Sequence, residues 1–299
     1  MRRLDELGFE QLLRQQAQIR ACGTLALGDV AFLDPYGLLG LLCLGRVFRR
    51  DGLRIALVPP RDDEVKRYLE RMDSLSVLRE SFQVADAMLA FPGERYRRSR
   101  ESRVLLEVTP IRHSRDVHGL VHALITRTGT ILRAHLHYDD LAVDRFAVAL
   151  AEICQNIPDH SGDLGLVAIQ RYHYGSQGMN RVCIAAMDCG VGIRASLEGR
   201  YGRQAAPWDD AAAIALALEP NTSRFNDPGR GNGLTQVCSL AMSWGGRMSI
   251  RSGRGKVVLK AGHPPRTLRG LPFFPGTQVS LELPQRGLSR NGSGRAADP

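Results

Sequence analysis

Three motifs, in a fixed order along the second half of the chain, restrict what it can fold into. A helix-compatible run carries Glu152-x-x-x-Asn156. A six-residue apolar run, Val182 to Met187, leads into Asp188-x-Gly190-x-Gly192-Ile193. Then Gly229-x-Gly231-x-Gly233-Leu234 opens a second helix-like run, Leu234 to Met242. Glu152 and Asn156 are four apart, so they share one helix face. Asp188 ends a strand, where its oxygens can accept hydrogen bonds from a ligand rich in N–H groups. Gly190 and Gly192 let the backbone pass close to such a ligand, where a Cβ would collide. Successive N–H groups in a glycine-rich turn, together with a helix N-terminus, form an anion nest. A chain that uses all three must gather a helix face, a strand end and a helix N-terminus around one space. The usual phosphate loop, G-x-x-x-x-G-K-[ST], is absent from the sequence.

At 299 residues there is room for one large domain or two medium ones. The formal charge is +9, which raises the question of nucleic acid or an anionic surface. Only Lys66, Lys256 and Lys260 are lysines, and the arginines are scattered rather than gathered in a stripe. The one local cluster, Arg95, Arg97, Arg98, Arg100 and Arg103, reads as a solvated linker, so nucleic acid is not the expected partner. Six cysteines show no C-x-x-C spacing; most sit among apolar neighbours, where a free thiol acts as a small hydrophobe, and they imply a reduced, cytoplasmic protein. Asp5, Glu6 and Glu10 follow Arg2-Arg3, with no apolar stretch of the signal-peptide kind. The longest apolar run, Leu38 to Phe48, is too short for a bilayer and contains Arg46. His118 and His122 are four apart, but Gly119 replaces the glutamate of H-E-x-x-H, so they read as surface histidines.

The periodicity predicts a helix over residues 4–20, strands at Thr24–Leu27 and Val30–Leu33, and an apolar helix over Leu38–Phe48. A strand at Leu53–Val58 and a helix capped by Asp62 or Asp63 follow. Strand and helix alternating in this way imply a small α/β layer. Phe91-Pro92-Gly93 opens the linker, residues 93–103. Beyond it the pattern predicts a strand at Val104–Val108, a helix capped by Ser114, and an extended segment at Ile131–Tyr138 that would carry His135 and His137. Next come a helix at Asp144–Gln155 and strands at Leu166–Ile169 and Val182–Met187. Strands at Arg247–Arg251, Val257–Leu259 and Thr277–Leu283 complete it. Pro158 lacks an N–H and is expected to end or kink the helix just past Asn156. The stretch Arg194–Pro228 reads as flexible, and residues 286–299 as a disordered tail.

Taken with Gly276-Thr277 at the head of the last strand, the motifs resemble the ATP site of the GHKL superfamily, which includes gyrase, the heat-shock chaperone, histidine kinases and mismatch-repair ATPases. The resemblance spans about residues 104–285 and implies a Bergerat-type α/β sandwich that folds and binds ATP as a unit. It assigns Asp188 the adenine contact, with Thr277 supporting it through water and Gly190, Gly192 and Ile193 shaping the turn. Gly229, Gly231, Gly233 and Leu234 would take the phosphates, and Asn156 the Mg²⁺. Glu152 would be the general base, and Arg194–Pro228 a lid.

Residues 1–92 resemble a STAS domain, the fold of anti-sigma-factor antagonists. This rests on Phe32-Leu33-Asp34, the helix-opening Gly37, and the next strand leading to the Tyr68-Leu69 helix. In the phosphorylated antagonists a serine precedes that glycine, whereas here Pro35 and Tyr36 do. No phosphoserine switch is therefore expected; the turn is expected to dock partners through Tyr36, the alternative being that Tyr36 packs against the neighbouring ATP-binding domain.

Together the resemblances imply an ATP-Mg-binding regulatory protein, similar to the anti-sigma-factor serine kinases, that phosphorylates or hydrolyses and has a protein partner. The rival is an ATP-gated binding module with little or no turnover. A homodimer is one assembly the resemblance leaves open.

Overall fold

The computed structural model describes residues 1–84, 104–174, 179–202, 208–222 and 232–286. The arginine cluster at 95–103, Gly229, Gly231 and the tail from 287 lie outside these residues. The fold is mixed α/β.

The N-terminal part runs β1 (Arg3–Leu4), α1 (Glu6–Arg14), α2 (Gln16–Cys22), β2 (Thr24–Ala26), β3 (Phe32–Leu33), α3 (Pro35–Arg50), β4 (Ala56–Val58), α4 (Asp63–Arg71), α5 (Leu75–Ser81) and β5 (Gln83–Val84). β2, β4 and β5 form a parallel sheet, and β1 pairs with β3. The single helix expected over 4–20 is two helices meeting at Gln15. Asp5 caps the first by accepting from the Leu7 and Gly8 amides. Asp62, not Asp63, caps α4.

α3 is apolar all round over residues 35–45, which are buried without a break. Such a helix needs cover on every side. It lies across the larger sheet described next, so its start is covered. Asp34 accepts from the Gly37 amide at 2.7 Å, and Tyr36 is only 2% exposed. The Tyr36 ring packs edge-on against Phe9, which packs in turn against Phe274. The expectation of a docking surface at Tyr36 is therefore corrected: the turn is an internal contact.

The remainder runs β6 (Val104–Ile111), α6 (Ser114–Leu136), α7 (Asp140–Asn156), a π-helical turn (Ile157–Ser161), β7 (Gly165–Tyr174), β8 (Met179–Asp188), α8 (Gly192–Tyr201), α9 (Asp210–Ala217), α10 (Gly233–Ser243), β9 (Arg247–Gly253), β10 (Gly255–Lys260), β11 (Arg266–Leu268) and β12 (Phe274–Pro284). Seven strands make one antiparallel sheet in the order β11-β10-β9-β12-β8-β7-β6. Side chains alternate across it. Val167, Ile169, Ile184 and Ala186 join the core beneath α6–α10. Leu166, Ala168, Ala185 and Met187 join the core of the N-terminal part. β7 and β8 are thus buried on both faces, which is why they read as continuous apolar runs. The break in composition at 93–103 does not divide two cores, because one hydrophobic cluster runs from Leu4 to Phe274.

Three local expectations fail. The segment 131–138 is not extended. α6 continues to Leu136, His135 lies within it, and His137 ends it in the left-handed region at φ 57°. The cap of α6 is His113 rather than the expected Ser114, which is the first helical residue, and the Asp116 carboxylate accepts the Arg112 and His113 amides. The stretch 194–228 contains α8 and α9 rather than being flexible throughout.

Polar contacts also tie α1 to the sheet. Arg251, fully buried, donates to Glu10 at 2.9 Å. Lys256 lies 2.9 Å from Glu6, and Arg247 donates to Glu6 at 2.6 Å. Burial opposes ionisation of Glu6, but the Arg247 hydrogen bond and the charges of Lys256 and Arg247 outweigh it and lower its pKa to about 2. None of the described helices is long and apolar enough to cross a membrane.

Candidate functional site

On the helix-covered face of the sheet lies a cavity of about 530 Å³. β8 and β12 form its floor through Ala186, Asp188, Thr277 and Val279. α7 contributes Glu152, Ile153, Gln155 and Asn156, and the π-helical turn contributes Asp159, His160 and Ser161. α8 adds Gly192, Ile193, Ser196 and Leu197, and α10 adds Gly233, Leu234 and Gln236. Of the residues singled out by sequence, Glu152, Asn156, Asp188, Gly192, Ile193, Gly233, Leu234 and Thr277 meet here. Gly190 does not line the cavity; a Cβ on it would fall 1.9 Å from the Ser161 carbonyl oxygen.

Asp188 is 5% exposed. Burial raises its pKa from 3.8 to about 6, while the Gly190 amide, the nearby Ser161 side chain and the Thr277 amide pull the other way. The Gly190 amide donates to Oδ1 at 2.9 Å.

As Pro158 led one to expect, the α-helix ends at Asn156. α7 passes into the π-helical turn, which stops at Gly162. The wider turn carries Ser161 to the glycine motif, where its carbonyl accepts the Val191 amide at 3.0 Å. Gly192 has φ 76°, a conformation most side chains avoid. Next to it the Ile193 amide donates to Ser252 Oγ at 2.9 Å, and that hydroxyl donates to the Gly276 carbonyl at 2.8 Å. Ser252 therefore bridges the two motifs that flank Asp188. Gln278 adds a bond from its side-chain amide to the Asp188 carbonyl at 3.2 Å.

Glu152 reaches the start of α10. A Cβ on Gly233 would fall 2.2 Å from Glu152 Oε2, so the glycine is what gives the carboxylate its place. Its position one helical turn before Asn156 brings two oxygen donors to the cavity wall. His118 is exposed, as expected, and stands at the rim of the cavity with its Nδ1 2.9 Å from the Ser114 carbonyl. Gln155 donates to Ser114 Oγ and to Asp159 Oδ1, both at 2.9 Å. Among the described residues no cluster of three or more histidine, cysteine or acidic side chains is arranged to hold a metal.

Sequence reasoning missed Ser252 and Gln278. Both have partners distant in sequence and carry no local signature.

The arrangement joins a buried acceptor to apolar walls, Ile153, Ile193, Leu197 and Val279, with oxygen donors and a helix N-terminus close by. It can take a flat ring bearing N–H donors together with an anionic tail. No protein-family model matches the chain, and comparison with curated proteins finds no match.

Proposed function

We propose that this chain is an ATP-Mg-binding regulatory protein of the histidine-kinase-like ATPase type, with a STAS-like N-terminal part on the far face of a GHKL-type sheet. The observation that carries this reading is Asp188. A buried carboxylate at a strand end shares one cavity with Asn156, Gly192, Gly233 and Thr277. An ionised acceptor in an apolar cavity selects a base that offers an exocyclic amine, as adenine does. The oxygens of Asn156 and Glu152 are of the hard type that Mg²⁺ prefers, and a bound Mg²⁺ would neutralise phosphate charge.

Glu152 supports chemistry over binding alone, because a carboxylate beside the α10 N-terminus is placed to take a proton from water or from a serine hydroxyl of a partner protein. A partner-switching serine kinase or an ATPase is therefore the leading form, and an ATP-gated binding module with little turnover the second. Calorimetric titration of the full chain tests the reading. ATP with Mg²⁺ should bind, GTP should bind at least tenfold more weakly, and Asn156→Ala should remove much of the Mg²⁺ dependence. A folded chain that binds neither ATP nor ADP would refute it.

A further inference from the structure

The C-terminal end of α3 reaches the loop that carries Asp188. Arg46 and Arg50 are four apart and lie on one side of that helix. Arg50 Nη1 donates to the Cys189 carbonyl at 2.8 Å, one residue past Asp188. Arg46 Nη2 donates to Asp163 Oδ1 at 3.1 Å. The Asp163 amide in turn donates to Ser161 Oγ at 3.0 Å, that hydroxyl donates to the Asp163 carbonyl at 3.1 Å, and the Ser161 carbonyl accepts the Val191 amide of the glycine loop at 3.0 Å. The Cys189 thiol adds a contact of 3.5 Å to the Cys43 carbonyl, again on α3. One helix of the N-terminal part therefore holds the loop from two directions, through Cys189 and through Asp163 and Ser161. Arg50 is 51% exposed and 3.9 Å from Asp163, so its ion pair is weak in water. Its direct contact with the loop is the hydrogen bond to the Cys189 carbonyl.

We propose that Arg50 and Arg46 are positioning residues for the nucleotide site. On this account the N-terminal part completes the base pocket by fixing the direction of the Asp188 carboxylate. The inference rests on the reading of Asp188 as the base-recognising group. A helix that shifts when another protein binds the N-terminal part would then alter nucleotide affinity with no contact to the nucleotide.

The test is a double-mutant cycle on the full chain, read by calorimetry with ATP-Mg. Arg50→Ala should weaken binding about tenfold, within the range for side chains that share a network. In an Asp188→Asn background the same change should have little further effect. Arg50→Lys, which keeps a donor for the carbonyl, should recover part of the loss. Asp163→Asn preserves shape and should weaken binding several-fold even if Arg50→Ala folds poorly. A purely structural role predicts a lower melting temperature with an unchanged dissociation constant. Binding within twofold of wild type in Arg50→Ala and Asp163→Asn, or full additivity with Asp188→Asn, would overturn the proposal. A wild-type chain that does not bind nucleotide would instead overturn the reading of the site, and the proposal with it.

Discussion

Replacing Asp188 by asparagine separates what the cavity costs from what it does. Burial lifts the carboxyl pKa from 3.8 to about 6 against the pull of the Gly190 and Thr277 amides and the nearby Ser161 side chain. Holding the group ionised at pH 7.5 therefore costs the folded state roughly 3 kcal/mol, at about 1.36 kcal/mol per pH unit. The amide removes that cost. It also turns an NH₂ toward groups that donate, leaving a buried donor unpaired at roughly 1–3 kcal/mol. The variant without nucleotide should thus be as stable as wild type at pH 7.5, or more stable by up to about 2 kcal/mol. The folded pKa is the higher one, so the wild-type group's stabilising effect is full below 3.8 and is lost as pH rises through about 6. Wild type should therefore gain on the variant as pH falls from 7 toward 4. Nucleotide affinity should drop by about 1.5–3 kcal/mol, roughly 10- to 150-fold, because a charged acceptor is lost. Urea unfolding at several pH values, paired with calorimetric titration, reads all three effects. A variant several kcal/mol less stable at pH 7.5, a stability gap that ignores pH, or unchanged affinity would refute the reasoning.

Glu152→Ala should leave nucleotide binding nearly intact and lower hydrolysis or phosphotransfer by roughly 10²–10⁴-fold, as measured by phosphate release or label transfer; normal turnover would deny it the role of base. Arg251→Ala leaves Glu10 buried without its guanidinium partner and should cost roughly 3–5 kcal/mol in equilibrium unfolding, with a loss under 1 kcal/mol counting against the network. Residues 104–286 expressed alone should aggregate or bind a hydrophobic dye, because Leu166, Ala168, Ala185, Met187 and Phe274 lose their cover; a monomeric, dye-silent segment would contradict the shared core.

The sequence made the elements legible where one period dominated. β7, β8 and α3 announced themselves as apolar runs, and the structure supplies the reason in sheet faces and a helix covered on all sides. The motif residues were legible because glycine and carboxylate chemistry is local. Non-local relations were not. Nothing near Ser252 or Gln278 marks them, because their partners Ile193 and Asp188 are 59 and 90 residues away. The His135-to-Tyr138 alternation mimicked a strand, while the buried Leu132 and Leu136, four apart, followed the helix. Pro158 signalled an irregularity without its direction, which the π-helical turn provides. The turn at Asp34 looked like an exposed docking site because Tyr36 suits interfaces. Its partners, Phe9 and the sheet, come from other parts of the chain.

A crystal structure of the full chain with Mg²⁺ and a non-hydrolysable ATP analogue tests the central claim most directly. The account predicts the adenine amine within hydrogen-bond distance of the Asp188 carboxylate, the phosphates at the α10 N-terminus, and the metal on Asn156. A nucleotide bound elsewhere, or one whose base lies away from Asp188 with the cavity empty, would contradict it.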